Sequence, residues 1–317
     1  MTSARCTVVM PVRDAARFIG AAVSSVLGQT MRHFELLVVD DRSTDGSAEI
    51  VRRSQDPRVV LLPCQGEGVS AARNTALRTA RSGYIAFLDA DDLWTPEHLQ
   101  LHLDHLERQP EVDLTFSPVK WIDEAGAPLG RPVSLHVGRF SYEELLLEYL
   151  PVTTSSWVAR RSALDKTGGF DIMLPAGSDH DLCLRIALLR DLNVEGLERP
   201  PMLYRRRAGQ ITSDRAHKAV AWQQLVDKQA ALTQRATPQK LRQATACLRR
   251  ALAALAFEEE AYAEAREHFS GALLLGGRTL MADRRTWVMA AAMAASLLPD
   301  TMRRAVIQFG RRRVGGA

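Results

Sequence analysis

Apolar runs and amphipathic segments alternate through the first third of the chain. The runs have the composition of buried strands, at residues 6–12, 34–39, 59–62 and within 83–94. Between them, apolar residues recur at helical spacing, which predicts helices after the first strand and over residues 47–54 and 70–81. Strands that alternate with helices in this way predict an α/β fold, with a mostly parallel sheet flanked by helices.

Acidic residues follow three of the predicted strands, within residues 11–14, 40–45 and 89–92. Because open parallel sheets bind ligands beyond the carboxyl ends of their strands, these stretches are expected to face one crevice. Their carboxylates would repel one another if they were left unpaired. Mg²⁺ or Mn²⁺ would relieve this repulsion, since these ions bind carboxylate oxygens together with substrate phosphates. The carboxylates expected on one rim of the crevice are those of Asp40, Asp41, Asp89, Asp91 and Asp92.

Two common phosphate-binding motifs are missing after the first strand. The sequence has neither a Gly-x-x-x-x-Gly-Lys loop nor a Gly-x-Gly-x-x-Gly turn there. A diphosphate would therefore be held by the metal and by scattered basic side chains. The alternative for residues 89–92 is a solvated turn whose aspartates cap the next helix.

Five motifs in order resemble the catalytic domain of family 2 glycosyltransferases. They are VVMPV at 8–12, SSVLGQT at 24–30, ELLVVDDRSTDGS at 35–47, GVSAARN at 68–74 and LDADD at 88–92. The resemblance extends over roughly the first two-thirds of the chain. It implies a GT-A fold, a nucleotide-sugar donor and transfer with inversion at the anomeric carbon.

The resemblance also implies which residues meet the nucleotide. Asp41 corresponds to the residue that reads the base, for which uridine is the first expectation, ahead of guanosine and thymidine. Arg73 corresponds to a residue that contacts the nucleotide, although a solvated helix arginine is the alternative. Pro11, Val12 and Arg13 would line the same site, with Arg13 standing where the family commonly has tyrosine.

The resemblance implies that Asp89 contacts the ribose of the donor. It also implies that Asp91 binds a divalent metal ion, Mn²⁺ or Mg²⁺, with Asp92 as a second candidate ligand. Arg207 stands where many relatives have a histidine. It is expected to pair directly with the donor diphosphate. The alternative for Arg207 is an exposed basic turn.

Asp179 matches the family's catalytic base, which takes the proton of the acceptor hydroxyl. It begins a predicted helix, whose dipole favours the charged carboxylate. Asp179 could instead be a helix cap, and Asp181 could cap the helix or act as the base. Ser178 departs from the family, which usually has Glu at this position, and this puts the acceptor class in doubt more than the activity.

These residues predict a metal-dependent transferase that moves a sugar to a hydroxyl of a glycan or lipid-linked acceptor, in the synthesis of a surface polysaccharide or other glycan. The alternative is a nucleotide-sugar-binding protein without transferase activity, because Arg13, Ser178 and Arg207 depart from the pattern. A glycosidase with Asp91 and Asp179 as its carboxylate pair would leave the other acids of the crevice unexplained.

The pattern becomes helical throughout from about Ala216, which predicts a catalytic domain over 1–215 and a helical extension over 216–317. Residues 286–298 are uncharged but too few to span a bilayer, which takes about 20 residues. Together with the arginines after Met302, they could lie peripherally on an anionic membrane surface. The alternative is a helix packed on the catalytic domain or on a second subunit, which would make the protein a homo-oligomer.

Composition and charge limit the expected partners and location of the protein. The net charge of the 317 residues is only +4, and the basic excess is concentrated in the tail, so nucleic acid is not an expected partner. No long apolar segment precedes the first strand, and the four cysteines are scattered without metal-type spacing. The expected location is therefore the cytoplasm, with peripheral contact at the cytoplasmic face of the membrane.

Overall fold

The computed structural model describes residues 4–130, 137–147, 153–174, 176–189, 193–207 and 215–299. The chain divides into two compact units. The first comprises Met1–Tyr142 and Leu150–Leu225, and the second comprises Glu143–Tyr149 and Val226–Ala317.

The amino-terminal half of the first unit alternates strands with helices, as predicted. Its elements are β1 (Cys6–Val12), α1 (Ala16–Leu27), β2 (Phe34–Asp40), α2 (Ser47–Arg52), β3 (Val59–Pro63), α3 (Val69–Thr79) and β4 (Tyr84–Phe87). Every residue of β1 is buried, as expected for a parallel strand that helices cover on both faces. The helical spacing in α1 places Ile19 and Val26 in the core.

Thirteen further elements follow in the described residues up to Leu232. They are β5 (Leu93–Trp94), α4 (His98–Arg108), β6 (Leu114–Phe116), β7 (Val119–Ile122), β8 (Gly138–Phe140), α5 (Tyr142–Leu147), a 3₁₀ helix (Thr154–Ser156), β9 (Trp157–Arg160), α6 (Arg161–Thr167), α7 (Ser178–Leu188), β10 (Val194–Gly196), β11 (Met202–Arg205) and α8 (Arg215–Leu232). The division between the two units falls within α8.

The main sheet has eight strands in the order β3-β2-β1-β4-β9-β6-β10-β8. Strands β3, β2, β1 and β4 are parallel neighbours. Two strands, β9 and β8, run opposite to the other six, because β9 is antiparallel to both β4 and β6, and β8 is antiparallel to β10. The predicted α/β architecture with a mostly parallel sheet flanked by helices is confirmed.

A second, three-stranded sheet was not predicted from the sequence. Its order is β5-β11-β7, with β11 antiparallel to β5 and parallel to β7. These strands are only two to four residues long, too short for a periodic pattern to reveal them. This sheet matters for the site, because β5 directly follows residues 89–92 and β11 leads to Arg207.

The second unit is helical, in agreement with the predicted carboxyl-terminal extension. Its main elements are α9 (Pro238–Glu258), α10 (Tyr262–Met281) and α11 (Arg284–Ala295). A small core of Ala253, Ala256, Ala265, Phe269 and Met293 joins the three helices. Among the described residues, no helix combines the length and the apolar composition needed to cross a membrane. The predicted boundary at residue 215 stays a prediction.

Candidate active site

The ends of β1, β2 and β4 meet at one edge of the main sheet. Val12 is opposite Asp40 in the register of β1 and β2, and the backbone N–H of Asp41 donates to the Val12 carbonyl at 2.8 Å. β4 is the other neighbour of β1, and residues 89–92 follow it. The three acidic stretches predicted to face one crevice therefore leave three adjacent strands at the same edge. Pro11 and Val12 are buried in β1, whereas Arg13 is exposed.

Asp41 is 3% exposed. Its Oδ2 accepts a hydrogen bond from the backbone N–H of Gly68 at 2.8 Å, and Arg13 Nη1 lies 3.6 Å from the same oxygen. Gly68 has φ +89°, a conformation that side chains disfavour, and it sits directly before α3. The start of α3 thus fixes one oxygen of the carboxylate.

Arg73 extends from α3 into the interior and is 4% exposed, so it is not a solvated helix arginine. Its Nη2 donates to Asp89 Oδ1 and to Thr154 Oγ1, both at 2.6 Å. Its guanidinium also lies over the ring of Phe170, 5.2 Å from the centroid. The residue predicted to contact the nucleotide is thereby paired with the carboxylate predicted to meet the ribose.

Asp91 is paired with Arg207. The Nε of Arg207 donates to Asp91 Oδ2 at 2.9 Å, and both side chains are largely buried. Burial raises the pKa of Asp91, the neighbouring Asp89 raises it further, and the Arg207 guanidinium opposes this shift. Two predicted site residues from opposite ends of the catalytic unit are therefore in direct contact.

Asp92 is 1% exposed and supports the backbone. Its Oδ1 accepts from the backbone N–H of Arg205 at 2.9 Å, which holds β11 beside the acidic loop. Burial raises the pKa of Asp92 well above its usual value, and the charges of Asp91 and Asp89 add to the shift. This position favours a structural role, and the metal-ligand role predicted for Asp92 stays a prediction.

Arg205 is a site residue that the sequence did not single out. Its Nε donates to the Asp91 carbonyl at 2.8 Å, and its Nη1 donates to the carbonyls of Asp123 and Glu124 at 3.0 and 2.8 Å. It is buried, so these bonds fix the backbone of the acidic loop to β7 and its following turn. A buried arginine inside a basic triplet gives no signal in a single sequence.

The 3₁₀ helix Thr154–Ser156 supports the same loop from the other side. Ser155 Oγ accepts from the backbone N–H of Asp89 at 3.0 Å, and the Ser155 carbonyl accepts from Trp94 Nε1 at 2.7 Å. Thr154 is the hydroxyl that Arg73 contacts. The run of small hydroxyl residues at 153–156 just before a buried strand was the available signal for this support.

Asp179 lies in the first turn of α7, with Gly177 in the left-handed conformation before it. Its Oδ1 accepts from the backbone N–H of His180 at 2.8 Å. The neighbouring Ser178 contacts the start of α3, since Ser70 Oγ and Ser178 Oγ are 2.9 Å apart and both residues are buried. This contact ties the helix that bears Asp179 to the helix that bears Arg73.

Asp181 does not fit the alternative role of base. It is completely buried, and its Oδ2 accepts from Arg185 Nε at 2.8 Å. Arg185 also donates to the carbonyls of Thr167 and Gly169. The Asp181–Arg185 pair therefore anchors α7 to the end of α6, and an acceptor hydroxyl has no access to its carboxylate.

The sequence predicted a divalent cation as the partner of the crevice acids, and the structure shows arginines beside two of them. Asp89 and Asp91 each have an arginine partner. Three buried atoms of the crevice nevertheless lack a hydrogen-bond partner within the described part of the chain: Asp41 Oδ1, Arg73 Nε and Asp92 Oδ2. Leaving such groups unpaired is costly, and a polar ligand that enters the crevice could satisfy them.

The donor atoms at Asp91 suit a hard divalent cation, because they are carboxylate oxygens. Within the described ranges, no group of three or more His, Cys, Asp or Glu side chains is arranged to hold a metal ion. A cation at this loop would have to take further ligands from a substrate, since Mg²⁺ in phosphate-transfer sites is usually bound by one or two carboxylates together with substrate phosphates.

Comparison with known proteins supports this interpretation of the fold and the sequence. The Glycosyl transferase family 2 model matches residues 7–168. UDP-Glc:alpha-D-GlcNAc-diphosphoundecaprenol beta-1,3-glucosyltransferase WfgD from Escherichia coli is 42% identical over 98 residues, which make up 31% of this chain and 39% of WfgD. This chain thus spans less than half the length of that relative.

Solved structures share the fold at lower identity. S. aureus TarS 1–349 in complex with UDP-GlcNAc has a TM-score of 0.61 at 16% identity, over 96% of this chain and 92% of that one. The mannosyltransferase PcManGT from Pyrobaculum calidifontis, in complex with GDP-Man and Mn²⁺, has a TM-score of 0.57 at 20% identity, over 93% and 86%. They confirm the GT-A fold. The family model covers half of the chain and includes the acidic loop, and the chain belongs to glycosyl transferase family 2.

Proposed function

We propose that this protein is an inverting glycosyltransferase that moves a sugar from a nucleoside-diphosphate sugar to an acceptor hydroxyl. The observation that carries the proposal is the contact that ties the start of α7, where Asp179 lies, to the start of α3. Ser178 contacts Ser70 at the start of α3, and Arg73 on the same helix pairs with Asp89. These contacts support Asp179, a half-buried carboxylate at a helix start, as the base that a single-displacement reaction needs.

In this mechanism Asp179 accepts the proton of the acceptor hydroxyl as that oxygen attacks the anomeric carbon. The helix start stabilises the charged carboxylate before the reaction. Arg207 and Arg73 stabilise the negative charge that develops on the leaving diphosphate. A divalent cation bound by Asp91 and the diphosphate would supply further electrophilic stabilisation, so we propose metal dependence. The single displacement inverts the configuration at the anomeric carbon.

Uridine is the proposed base of the donor. Asp41 keeps one buried oxygen without a partner in the described structure, and this oxygen could accept a hydrogen bond from the imide N–H of uracil. The names of WfgD and of the TarS complex include UDP-Glc and UDP-GlcNAc. Guanosine is the second candidate, because the same acceptor could bind guanine and PcManGT is described with GDP-Man.

Replacing Asp41 with Asn should weaken UDP binding by about 10- to 100-fold, because a charged hydrogen bond to the base contributes about 1.5–3 kcal/mol. Calorimetry with UDP, GDP and dTDP in the presence of Mn²⁺ measures this effect and identifies the base. The matched control is Glu67→Gln, which removes an exposed carboxylate near the same Arg13. If Asp41→Asn binds UDP as tightly as the unaltered protein, the assigned base contact is wrong.

The acceptor is proposed to be a hydroxyl of a glycan or of a lipid-linked glycan, in the synthesis of a surface polysaccharide or other glycan. This proposal rests on the family and on the name of WfgD, which specifies a diphosphoundecaprenol-linked substrate. A nucleotide-sugar-binding protein without transferase activity is the second candidate, because Ser178 replaces the usual Glu. Donor binding without turnover over a broad acceptor panel would favour that candidate.

We also propose peripheral contact with an anionic membrane at the cytoplasmic face. The outer face of α11 supports it, with Trp287 and Val288 being 57% and 62% exposed and Leu297 just beyond the helix 72% exposed. Arg284 lies exposed at the start of this face. Apolar side chains beside arginines suit the interface of an anionic bilayer. The basic tail that also predicted this contact lies outside the described residues.

The double replacement Trp287→Ser with Val288→Ser should lower the fraction of protein that floats with anionic liposomes several-fold, because it removes apolar area from the contact. Flotation with neutral liposomes provides the baseline. Leu129→Ser, at an exposed apolar residue of the first unit, is the matched control. Equal flotation of the double variant and the unaltered protein would disprove a contribution of α11.

A further inference from the structure

Arg207 is held in place by the backbone that precedes it. The main-chain N–H of Arg205 donates to Asp92 Oδ1, and the N–H of Arg206 donates to the Ile122 carbonyl at 2.8 Å. The Arg205 side chain adds bonds to the carbonyls on both sides of it. The backbone before Arg207 is therefore fixed beside the acidic loop. The guanidinium of Arg207 can change its partner by a movement of the side chain, without a movement of this backbone.

The guanidinium of Arg207 lies between a carboxylate and an aromatic ring. Its Nε donates to Asp91 Oδ2 at 2.9 Å, and its Cζ lies 5.7 Å from the centroid of Phe18. Asp91 is also the carboxylate that we propose for the cation. Asp92 is buried against β11, and Asp89 is engaged by Arg73 as Asp91 is by Arg207. Arg207 and a divalent cation would thus compete for the same carboxylate.

A nucleoside diphosphate would change this competition. Without it, an incoming cation is attracted by the Asp91 carboxylate and the neighbouring acids of the loop, and is repelled by the Arg207 guanidinium beside Asp91. With it, the phosphate oxygens supply ligands to the cation and a second partner to the guanidinium. Both positive charges then have negatively charged partners. The diphosphate thus favours cation binding in two ways, because it supplies ligands to the cation and draws the Arg207 guanidinium away from Asp91.

We propose that Arg207 holds Asp91 while the donor is absent and so makes divalent-cation binding conditional on the nucleoside diphosphate. This inference rests on the proposed function, since it requires a diphosphate donor at this site. The consequence is ordered assembly, in which little cation binds before the nucleotide. By linkage, the cation must strengthen nucleotide binding by the same factor.

The test is Mn²⁺ binding, followed by the electron paramagnetic resonance signal of the free ion, with no nucleotide, with UMP and with UDP. For the unaltered protein we expect UDP to strengthen Mn²⁺ binding and UMP to leave it nearly unchanged. Arg207→Gln should bind Mn²⁺ about tenfold more tightly without nucleotide, and its gain from UDP should shrink accordingly. Arg207→Lys keeps the charge and should lie between the two.

Arg206→Gln is the matched control, because Arg206 precedes Arg207 and its guanidinium lies over Trp121. It should behave like the unaltered protein. Equal Mn²⁺ affinity of Arg207→Gln and the unaltered protein without nucleotide would overturn the inference, provided that both melt at similar temperatures. If no variant binds Mn²⁺ or UDP under any condition, the proposed function itself fails, and the inference fails with it.

Discussion

Replacing Asp179 with Asn is expected to lower the turnover number for sugar transfer by about 100- to 10,000-fold, the usual contribution of a general base. Asn has the same shape and keeps an oxygen that can accept from the His180 N–H, so the start of α7 should persist. What is lost is the ability to take a proton. Because Asp179 is not proposed to contact the nucleotide, UDP binding should stay within a fewfold of that of the unaltered protein.

The measurement combines transfer kinetics with calorimetric UDP binding. Asp165→Asn is the matched control, because it neutralises an exposed carboxylate on neighbouring α6 that pairs with Arg161 one helix turn away. It should leave both quantities unchanged. Normal turnover in Asp179→Asn would remove Asp179 as the base. A parallel loss of turnover and UDP binding would instead indicate that Asp179 helps to hold the donor.

Replacing Asp91 with Asn should lower kcat/KM by about 100-fold or more, because stabilisation of the leaving diphosphate by a metal contributes several kcal/mol. Mn²⁺ should also no longer stimulate transfer by the Asp91→Asn variant. The change also removes the charge partner of Arg207. Transfer assays at increasing Mn²⁺, and in EDTA, measure both effects, and circular dichroism checks that the fold persists.

Asp92→Asn separates the two candidate ligands. Its Asn oxygen can still accept from the Arg205 N–H that now contacts Asp92 Oδ1, so a purely structural residue should tolerate the change. We expect this variant to keep its response to Mn²⁺. If Asp92→Asn loses the Mn²⁺ response while Asp91→Asn keeps it, the ligand is Asp92, and the structural role argued for it is wrong.

Much of the first unit could be predicted because its signals are local. Four strands follow from continuous apolar runs and three helices from apolar residues at helical spacing, and the observed bounds differ from the predicted ones by a few residues at most. The carboxyl ends of adjacent parallel strands share one edge, so the placement of Asp41 and the acidic loop at the same edge of the sheet also followed. Neither β11 nor β5 could be predicted, because strands of four and two residues are too short to show a pattern of apolar and polar positions.

By itself the sequence determined the family, the sheet with its helices, and which acids follow the strands. The tertiary structure decided how those acids are paired. Asp91 meets Arg207 across 116 positions, and Arg73 meets Asp89 across 16. These pairs depend on how the sheet and the loops pack, and no repeating pattern of residues in the sequence predicts them. Burial likewise separated Asp179 from Asp181, because Asp179 is half-buried at the start of α7 whereas Asp181, two residues later, is enclosed against Arg185.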